Sequence, residues 1–528
     1  MPDSRLLARR EEKAGLKLAD RIGAPEIEQV PNATGDSRYE TVIGLEVHAQ
    51  LLTKSKMYCG CASSYAAAPP NTHVCPVCLG LPGALPVVNE KAIEFAVMTG
   101  LALGCEIAEL SRFDRKNYMY PDLMKNYQIS QFDLPIAHDG FLDLPLSDGG
   151  RKRVRVKRVH LEEDVAKLMH RVDNHGRAYT LVDVNRSGVP LMEIVSEPDM
   201  RSPDEARDYL VRLRQILQYL GVSTGSMEEG SFRCDANVSI RLIGATVLGA
   251  KVEVKNMNSF RAVFRALEYE VIRQAREIEA GAAIAQETRG WDDGRGVTVS
   301  QRSKEYAHDY RYFPEPDLPP LALSREWIAT VAARLPELPE ARQCRFVARY
   351  ELTPYDASIL TATRSAAEFF EEAVGLLGGA VGSTPAGAKS VANWLINDLL
   401  GLLNTTGQEL GESKATATGL AELVGLVEAG TLSTRLAREV FQVMFETGQL
   451  AGEIVHERGL AQISDIAELA RIVDQVIEKN QRSVSDLLAG KPQALGFLVG
   501  QVMKQTRGKA NPGIVNKLLA EKLAGRQG

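Results

Sequence analysis

The 528-residue sequence lacks any uncharged hydrophobic run long enough to cross a membrane. Its longest weakly charged stretch, AIEFAVMTGLALG, is shorter than the roughly 18 apolar residues that a membrane-spanning helix requires. The first residues, MPDSRLLARREEKAGLKLAD, have no apolar core like that of a secretory signal, and their mixture of acids and bases does not suit a transit peptide. We therefore expect a cytoplasmic protein without membrane segments.

Compositional extremes are absent as well. Hydrophobic residues make up 45% of the chain, charged residues make up 25%, and the net charge is -6. These values exclude a collagen, a mucin and a disordered chain, but they leave room for a local basic surface that binds nucleic acid. At roughly 150 residues per domain, the length predicts three or four folding units.

Proline becomes scarce towards the C-terminus, where only four of the 24 prolines follow residue 340. Apolar residues there recur every three or four positions, which predicts an all-helical region. Between residues 39 and 320, short β-branched runs alternate with turns and a few helical patterns, which predicts an α+β domain on a substantial sheet. The segment SPDEARDYLVRLRQILQYLG is one such helix, with Ser202 as its N-cap and Gly221 at its end.

Three segments of irregular composition separate these regions. Residues 1–37 are charged and without pattern, so we expect a poorly ordered leader. The proline-rich run YFPEPDLPPL is interpreted as a hinge that closes the α+β domain. The run GLLGGAVGSTPAGAKS interrupts the helical region as a loop or linker.

Cysteine is rare, yet four of the seven cysteines lie within twenty residues. The pattern CGC followed by CPVC provides two tight knuckles of thiolates, which is the ligand set of a tetrahedral structural zinc site. The segment between the knuckles has little core of its own, so a bound metal would supply folding energy there. The remaining cysteines, Cys105, Cys234 and Cys344, are interpreted as core residues. The predicted zinc ligands are Cys59, Cys61, Cys75 and Cys78.

Acidic residues on predicted strands form a second candidate site. Alternation in GLEVHAQL places Glu46, His48 and Gln50 on one face of a strand, which is either a cation site or an ordinary solvated face. Two further segments, HLEEDVAKL and PLMEIVSEPD, contain acidic residues within predicted strands whose pattern otherwise indicates burial. Glu193 lies in the middle of the second segment. Buried carboxylates need a counter-charge, and such hard oxygen ligands suit Mg²⁺.

A phosphate-binding P-loop is missing from the chain. The nearest text, GSTPAGAKS, has one residue too many before its lysine. Two polar motifs remain open to two interpretations each. They are FDRKNYMYPD, with Arg115 and Lys116, and SFRCDANVSIRL, with Arg233, Asp235 and Asn237. The first either binds an anion or an RNA base or forms an ordinary polar loop, and the second either lines an active cleft or faces solvent.

The C-terminal end is basic. From Asn480 onward there are eight basic residues and two acidic ones, although the whole chain carries a net negative charge. The pattern is compatible with phosphate contacts to a nucleic acid, or with the solvated face of a helix. The candidate tRNA-binding residues are Lys504, Arg507, Lys509 and Lys517.

Seven motifs, taken in order, resemble the GatB/GatE family, the B subunits of tRNA-dependent amidotransferases. They are GLEVHAQL, FDRKNYMYPDLMKNYQISQFD, HLEEDVAKL, LVDVNRSGVPLMEIVSEPD, MEEGSFRCDANVS, KVEVKNMNSF and DYRYFPEPDLPPL. The resemblance runs from about Tyr39 to Leu318, with a helical remainder of suitable length. The inserted domain of the archaeal GatE branch is absent, which favours the GatCAB type.

The resemblance implies a fold and partners. It implies a cradle-shaped kinase and transamidase domain on a mainly antiparallel sheet at residues 38–325, an all-α connector at 326–405 and an all-α, YqeY-like, tRNA-binding tail at 406–528. It also implies a heterotrimer with an amidase A subunit (GatA), which releases ammonia from glutamine, and a small C subunit (GatC).

The resemblance further implies an activity. The family uses ATP and Mg²⁺ to phosphorylate the side-chain carboxylate of glutamate misacylated on tRNA(Gln), or of aspartate on tRNA(Asn), and ammonia then displaces the phosphate. This is a ligase that forms a carbon–nitrogen bond with glutamine as amido donor. Either tRNA, or both, could be the substrate of this chain.

The resemblance also assigns site residues. It places the cation site on Glu46, His48, Glu193 and one glutamate of HLEED, for which we choose Glu163 over Glu162. It makes the zinc site structural. The implied ATP or substrate contacts are Arg115, Lys116, Arg233, Asp235, Asn237 and Lys255. The alternative hypothesis is a zinc-stabilised, non-catalytic scaffold that binds tRNA and whose acids are structural.

Overall fold

The computed structural model describes residues 38–146, 149–303, 310–378, 384–460, 466–488, 491, 493–506 and 510–524. These residues form two compact units, which divide between Pro339 and Glu340. The predicted leader at 1–37 lies outside the described residues. The predicted boundary after residue 325 lies within the first unit, and the one after residue 405 lies within the second.

A mainly antiparallel sheet forms the first unit. Its strands are β1 (Tyr39–Gln50), β2 (Glu106–Ile107), β3 (Leu110–Ser111), β4 (Asp114–Asn117), β5 (Tyr127–Ser130), β6 (Ala137–Pro145), β7 (Arg151–Glu163), β8 (Lys167–Val172), β9 (Ala178–Asp183), β10 (Pro190–Ser196), β11 (Phe232–Leu242), β12 (Val252–Lys255), β13 (Glu287–Asp292), β14 (Val297–Ser303), β15 (Phe313–Pro314) and β16 (Leu321–Ala322). Twelve of them share one sheet in the order β14-β13-β12-β11-β1-β10-β7-β5-β4-β15, with β6 beside β7 and β2 beside β6. Strands β12 and β13 run parallel.

Helices complete both units. They are α1 (Glu90–Ala102), α2 (Pro203–Leu220), α3 (Phe260–Glu279), α4 (Arg325–Ala332), α5 (Pro339–Tyr350), α6 (Pro354–Leu360), α7 (Arg364–Leu376), α8 (Pro385–Asn393), α9 (Leu400–Thr406), α10 (Ala417–Glu428), α11 (Thr434–Thr447), α12 (Ala451–Arg458), α13 (Ile466–Lys479), α14 (Gln481–Leu488), α15 (Gln493–Gln505) and α16 (Pro512–Ala524). A π-helical segment, Trp394–Leu399, joins α8 to α9. The described helices include none with the length and hydropathy needed to cross a membrane.

One face of the large sheet packs against the helices. Leu45, Val47 and Ala49 of β1 are buried in a core that also contains residues of α1, α2 and α3. Helix α2 begins where Ser202 accepts a hydrogen bond from the Glu205 amide, and it ends at Gly221, whose φ of 67° is left-handed. The opposite face of the sheet is left for polar side chains, so the alternation predicted for β1 is confirmed.

A register shift in β7 allows the strand to contribute buried side chains to the core along its whole length. Val154, Val156, Val159 and Leu161 are all fully buried in the same core, although an undisturbed strand would turn 156 and 159 to opposite faces. The pairing with β10 shifts between Val195 and Ser196, which is a β-bulge. On β7, residues 158, 160 and 162 after the bulge therefore lie on the same face as residues 153 and 155 before it.

The proline-rich segment is part of the sheet system rather than a hinge. Its residues form β15, which pairs with β4, and lead to β16, which pairs with β3. Helix α4 then packs its Val331 into the core of the first unit. The hinge prediction was wrong because prolines at strand edges are compatible with pairing on one side only.

The second unit is helical, as predicted. One apolar cluster joins residues from Phe346 to Val455, and a separate one joins residues from Leu469 to Leu523. Of the cysteines expected in the core, Cys105 and Cys234 are buried but Cys344 is exposed. Cys344 lies on α5, whose neighbour Phe346 takes the core position instead.

Candidate active site

Four polar side chains stand directly opposite one another across adjacent strands. Arg233 of β11 faces His48 of β1, His48 faces Glu193 of β10, and Glu193 faces His160 of β7. Because opposed residues on neighbouring strands project on the same side, all four lie on the sheet face that the helices leave uncovered. The backbone ladder, rather than a loop, thus sets their spacing.

Three of these strands bring together a compact group of potential metal ligands. The imidazole Nε2 of His48 lies 3.6 Å from Glu162 Oε1 and 3.5 Å from Glu193 Oε2. Donor atoms of His48, Glu162 and Glu193 all lie within 4.8 Å of one another. On the far side, His160 Nε2 lies 3.2 Å from Glu193 Oε2, and Arg158 Nε lies 3.3 Å from His160 Nδ1.

The structure places Glu162 in this group instead of Glu163, which corrects our choice between them. Glu162 and His160 alternate with Leu161, so they point to the polar face, whereas Glu163 shares the core side of the strand with Leu161. There Glu163 forms an ion pair with Lys125 and accepts a hydrogen bond from the Ile129 amide at 3.1 Å.

Neighbouring charges within the group shift the pKa of His48 and that of Glu193. Burial lowers the pKa of His48, but the negative charges of Glu193 and Glu162, with a smaller effect from Asp235, raise it to about 9. Burial raises the pKa of Glu193, but the neighbouring His160 and His48 hold it well below its ordinary value. The negative charge of Glu193 is therefore favoured by the two imidazoles beside it, and two carboxylates with one imidazole fit a hard divalent cation that keeps some of its water ligands.

The group lies in the wall of an open pocket of about 900 Å³. Burial lowers the pKa of the Lys116 ammonium, which faces the pocket, but the charges of Glu162 and Glu193 raise it above its ordinary value. The pocket therefore brings cations and carboxylates together, as required for binding an anionic substrate beside a metal ion. Other charged or aromatic side chains that line it include Arg158, Arg233, Asp235, Lys255 and Tyr312.

Most of the remaining predicted contacts lie at the pocket and are paired with one another or with Asp164. Glu46 lines the pocket and accepts a hydrogen bond from Asn237 at 2.9 Å, but it is not part of the three-residue ligand group. Lys255 forms an ion pair with Asp235, and Arg233 Nη2 lies 2.8 Å from Asp164 Oδ2. The structure thus brings Glu46, Arg233, Asp235 and Lys255 to one pocket, and Asn237 contacts that pocket through Glu46.

Arg115 is a predicted contact that projects away from the pocket. Its guanidinium forms two hydrogen bonds of 2.7 Å with Glu315 and a third, of 3.1 Å, with Asp317. It is not one of the residues that line the pocket, because it alternates with Lys116 along β4 and projects to the other side. Its assignment as a substrate contact is therefore not supported by the geometry.

Two residues of the pocket, His160 and Asp164, were not among the predicted site residues, although Asp164 belongs to the acidic segment HLEEDVAKL. His160 and Glu162 form an H-x-E pattern on one strand, the reverse of E-x-H in β1, and the apolar Leu161 between them indicates which face is buried. Asp164 is buried and accepts hydrogen bonds from Gln50, at 2.6 Å, and from Arg233. Its burial raises its pKa, but Arg233 and Arg186 hold the pKa below its ordinary value.

The four clustered cysteines fit a zinc ion. Their sulfur atoms lie within 4.8 Å of one another. Cys75 Sγ and Cys78 Sγ are 3.9 Å apart, close to the edge of about 3.8 Å expected for a tetrahedron with Zn–S bonds of about 2.3 Å. Hydrogen bonding from the Cys59 thiol lowers the pKa of Cys78, as does the Cys75 amide, so one thiolate is favoured before metal binds.

The knuckle segment, residues 59–78, supports the β8–β9 hairpin. Asn71 donates to the Val182 carbonyl at 3.1 Å and accepts from the Val184 amide at 2.7 Å, and the His73 amide donates to Asn185 at 2.8 Å. The hairpin pairs with no other strand of the described residues. Because an isolated two-stranded hairpin is marginally stable, its order depends on this support.

Zinc removal is expected to loosen this hairpin selectively. In the Cys61→Ser variant, or after chelation, amide exchange in residues 167–183 should accelerate by about tenfold or more because the knuckle segment loses its crosslink. Hydrogen-exchange mass spectrometry, with zinc content determined by elemental analysis, measures this. Peptides from β1 and β10 are the internal control, and equal acceleration everywhere would contradict a local role.

The basic residues predicted at the C-terminus are described only in part. Lys504, in the last turn of α15, and Lys517, on α16, are exposed. Arg507 and Lys509 lie outside the described residues. Both described lysines belong to helices of the apolar cluster from Leu469 to Leu523.

Comparison with known proteins gives consistent matches along the chain. A model of the GatB/GatE catalytic domain matches residues 41–329, and a model of the GatB domain matches residues 368–523. The chain is 56% identical over 489 residues to the B subunit of the aspartyl/glutamyl-tRNA(Asn/Gln) amidotransferase of Dehalococcoides mccartyi, covering 92% of this chain and 99% of that protein. It is 55% identical over 485 residues to the protein of the same name from Thermomicrobium roseum, with the same coverage.

Proposed function

This chain belongs to the GatB/GatE family, and on that premise we propose that it is the amidating subunit of a glutamine-dependent, tRNA-dependent ligase. The substrate is glutamate carried by tRNA(Gln), aspartate carried by tRNA(Asn), or both. The observation that supports this function best is the group of His48, Glu162 and Glu193 in a large pocket that also contains cations.

The reaction has two balanced steps. A side-chain carboxylate is a poor electrophile, so one of its oxygens first takes the γ-phosphoryl group of ATP, and ADP leaves. Ammonia then forms a bond to the acyl carbon, the bond to phosphate breaks, and ammonia loses a proton. The products are the amide on tRNA, ADP and phosphate.

The chain's own residues bind and orient the reactants. We assign Lys116 and Arg233 to the anionic groups of ATP and of the aminoacyl substrate, because both cations face the pocket. His160 holds Glu193 in place, and Arg158 in turn contacts His160. Asp235 and Asn237 position Lys255 and Glu46, respectively, at the pocket wall.

Two metals have separate roles in this proposal. His48, Glu162 and Glu193 would hold Mg²⁺, with Glu46 close by, and the ion would neutralise charge on the phosphoryl group during transfer. The four clustered cysteines would hold structural zinc. Neither assignment places the zinc ligands in the reaction.

The proposal also includes partners and a place of action. An amidase subunit supplies ammonia from glutamine, a small third subunit completes a heterotrimer, and the complex works in the cytoplasm. The helical tail contacts tRNA, where the exposed Lys504 and Lys517 would meet its phosphates. We also propose that the chain divides into a cradle at 38–325, a connector at 326–405 and a tail at 406–528.

Reconstitution of the complex tests the function. The full chain, assembled with its amidase and small subunits, should convert Glu-tRNA(Gln) or Asp-tRNA(Asn) to the amide with one ATP consumed per amide formed. Chromatography of the released amino acid measures the conversion, and omission of ATP is the control. Conversion without ATP, or none with either misacylated tRNA, would contradict the proposal.

A further inference from the structure

A row of exposed cations continues from the pocket along β7. Arg153, Arg155 and Lys157 are exposed, whereas Val154 and Val156 between them are buried in the core. The bulge described above places this row on the same sheet face as the pocket residues Arg158, His160 and Glu162. One strand therefore bears the wall of the pocket and a basic surface beside it.

The two arginines of the row are held rigidly. Asp143 binds Nε and Nη2 of Arg153 at 2.9 and 3.0 Å, and the Arg153 guanidinium lies 3.7 Å from the centre of the Phe141 ring. Asp199 binds Nε and Nη2 of Arg155, both at 2.8 Å. Because the side chains are already fixed, little conformational entropy is lost when they bind a ligand.

The acids lie beneath the arginines and leave their outer edges available. The side chains of Arg153 and Arg155 are 57% and 64% exposed, whereas those of Asp143 and Asp199 are 19% and 18% exposed. Each carboxylate binds the Nε and Nη2 atoms of its guanidinium and leaves Nη1 and the second hydrogen of Nη2 unused. That edge can donate two hydrogen bonds to one phosphate.

We propose that this face of β7 binds the RNA backbone next to the aminoacylated 3′ end of the tRNA. The proposal rests on the function given above, which brings that end into the pocket. Alternate residues on a strand repeat every 6.7 Å or so, comparable to the separation of successive phosphates along an RNA strand. Lys157, which pairs with no acid among the described residues, extends the row towards the pocket.

Distance along the strand supports this path. Lys157 and Arg153 precede Glu162 by five and nine residues, or about 17 and 30 Å at about 3.3 Å per residue. The unpaired 3′ end of a tRNA is several nucleotides long, so its phosphates must leave the reactive ester over a similar distance. An acidic surface of a partner protein could also bind these cations, but its charges do not repeat at the regular spacing of RNA phosphates.

The test is a charge-removing triple variant, Arg153→Gln/Arg155→Gln/Lys157→Gln, in the full chain within its complex. The matched control is Arg207→Gln/Arg261→Gln/Arg276→Gln, which removes three solvent-accessible cations from α2 and α3 on the other side of the sheet. We expect the first variant to raise the Kd for tRNA about ten- to a hundredfold and to reduce the salt slope by roughly two to three. The control should change neither.

Two further measurements keep the result specific. With saturating tRNA the triple variant should retain its kcat while its KM for tRNA rises, since no reacting group is altered. Arg153→Lys/Arg155→Lys keeps the charge but loses the planar fork, and it should give an intermediate Kd. Unfolding temperatures of all variants verify that the fold is retained.

The outcomes separate this proposal from the function on which it rests. Wild-type-like tRNA binding by the triple variant, in a complex that amidates tRNA normally, would overturn the proposal alone. Loss of subunit assembly with unchanged tRNA affinity would assign the row to a protein contact and overturn it as well. A wild-type complex that binds no tRNA would overturn the function, and this proposal with it.

Discussion

Replacing Glu193 with glutamine should reduce ATP-dependent amidation by about 10²- to 10³-fold. The change keeps the shape of the side chain but removes a buried charge that His48 and His160 contact from both sides. A neutral amide would bind a divalent cation poorly and would leave the two imidazoles without the negative charge that they share. Both effects act on phosphoryl transfer.

Two assays locate the defect of Glu193→Gln. Formation of ADP in the presence of misacylated tRNA reports the phosphorylation step and should fall with amidation, whereas glutamine hydrolysis by the amidase subunit should continue. Near wild-type amidation by this variant would contradict a catalytic role. A wild-type complex that binds tRNA but consumes no ATP with a misacylated acceptor would favour the alternative of a zinc-stabilised scaffold with structural acids.

The neighbouring pair Glu162 and Glu163 should separate activity from stability. Glu162→Gln removes a charge beside His48 and should lower the amidation rate by about a hundredfold with little change in unfolding. Glu163→Gln leaves the partly buried Lys125 opposite a neutral amide and should lower the free energy of unfolding by about 1–3 kcal/mol. Its amidation rate should stay within a fewfold of the wild type at temperatures where it is folded.

The comparison is closely matched because the two substitutions are chemically identical and adjacent on one strand. Urea denaturation measures the stability of each variant, and amidation at saturating Mg²⁺ and ATP measures its rate. Magnesium titration adds a third readout, since Glu162→Gln alone should require more Mg²⁺ for half-maximal rate. The reverse pattern, with an inactive Glu163→Gln and an active Glu162→Gln, would show that the assignment of the two faces is wrong.

Much of the site follows from sequence wherever one strand alternates cleanly. The polar face of β1 with Glu46 and His48 and that of β11 with Arg233 and Asp235 were predicted from period-two patterns, and both line the pocket. The grouping of the four cysteines follows from their spacing alone. The placement of these residues could be predicted because the information lies within a few consecutive residues.

Other features depend on partners distant in the chain. Arg115 is held by Glu315, two hundred residues further along, so a motif containing the arginine alone could not exclude it from the pocket. The choice of Glu163 failed because alternation allows either parity until the buried Leu161 fixes which face is which. The bulge in β7 depends on the register with β10, and no local pattern specified where it lies.

Hydrogen bonding on both sides of the central strands has a consequence for motion. Strands β1, β10 and β11 each lie between two neighbours, so none can shift without breaking two ladders. Such strands open only with the most stable part of a domain, while segments with fewer ladder bonds open more readily. The strands that carry the carboxylates and imidazoles are therefore rigid. Substrate entry must be accommodated by residues at the rim of the pocket that lie outside the strands, which are Asn256, Asn258 and Tyr310.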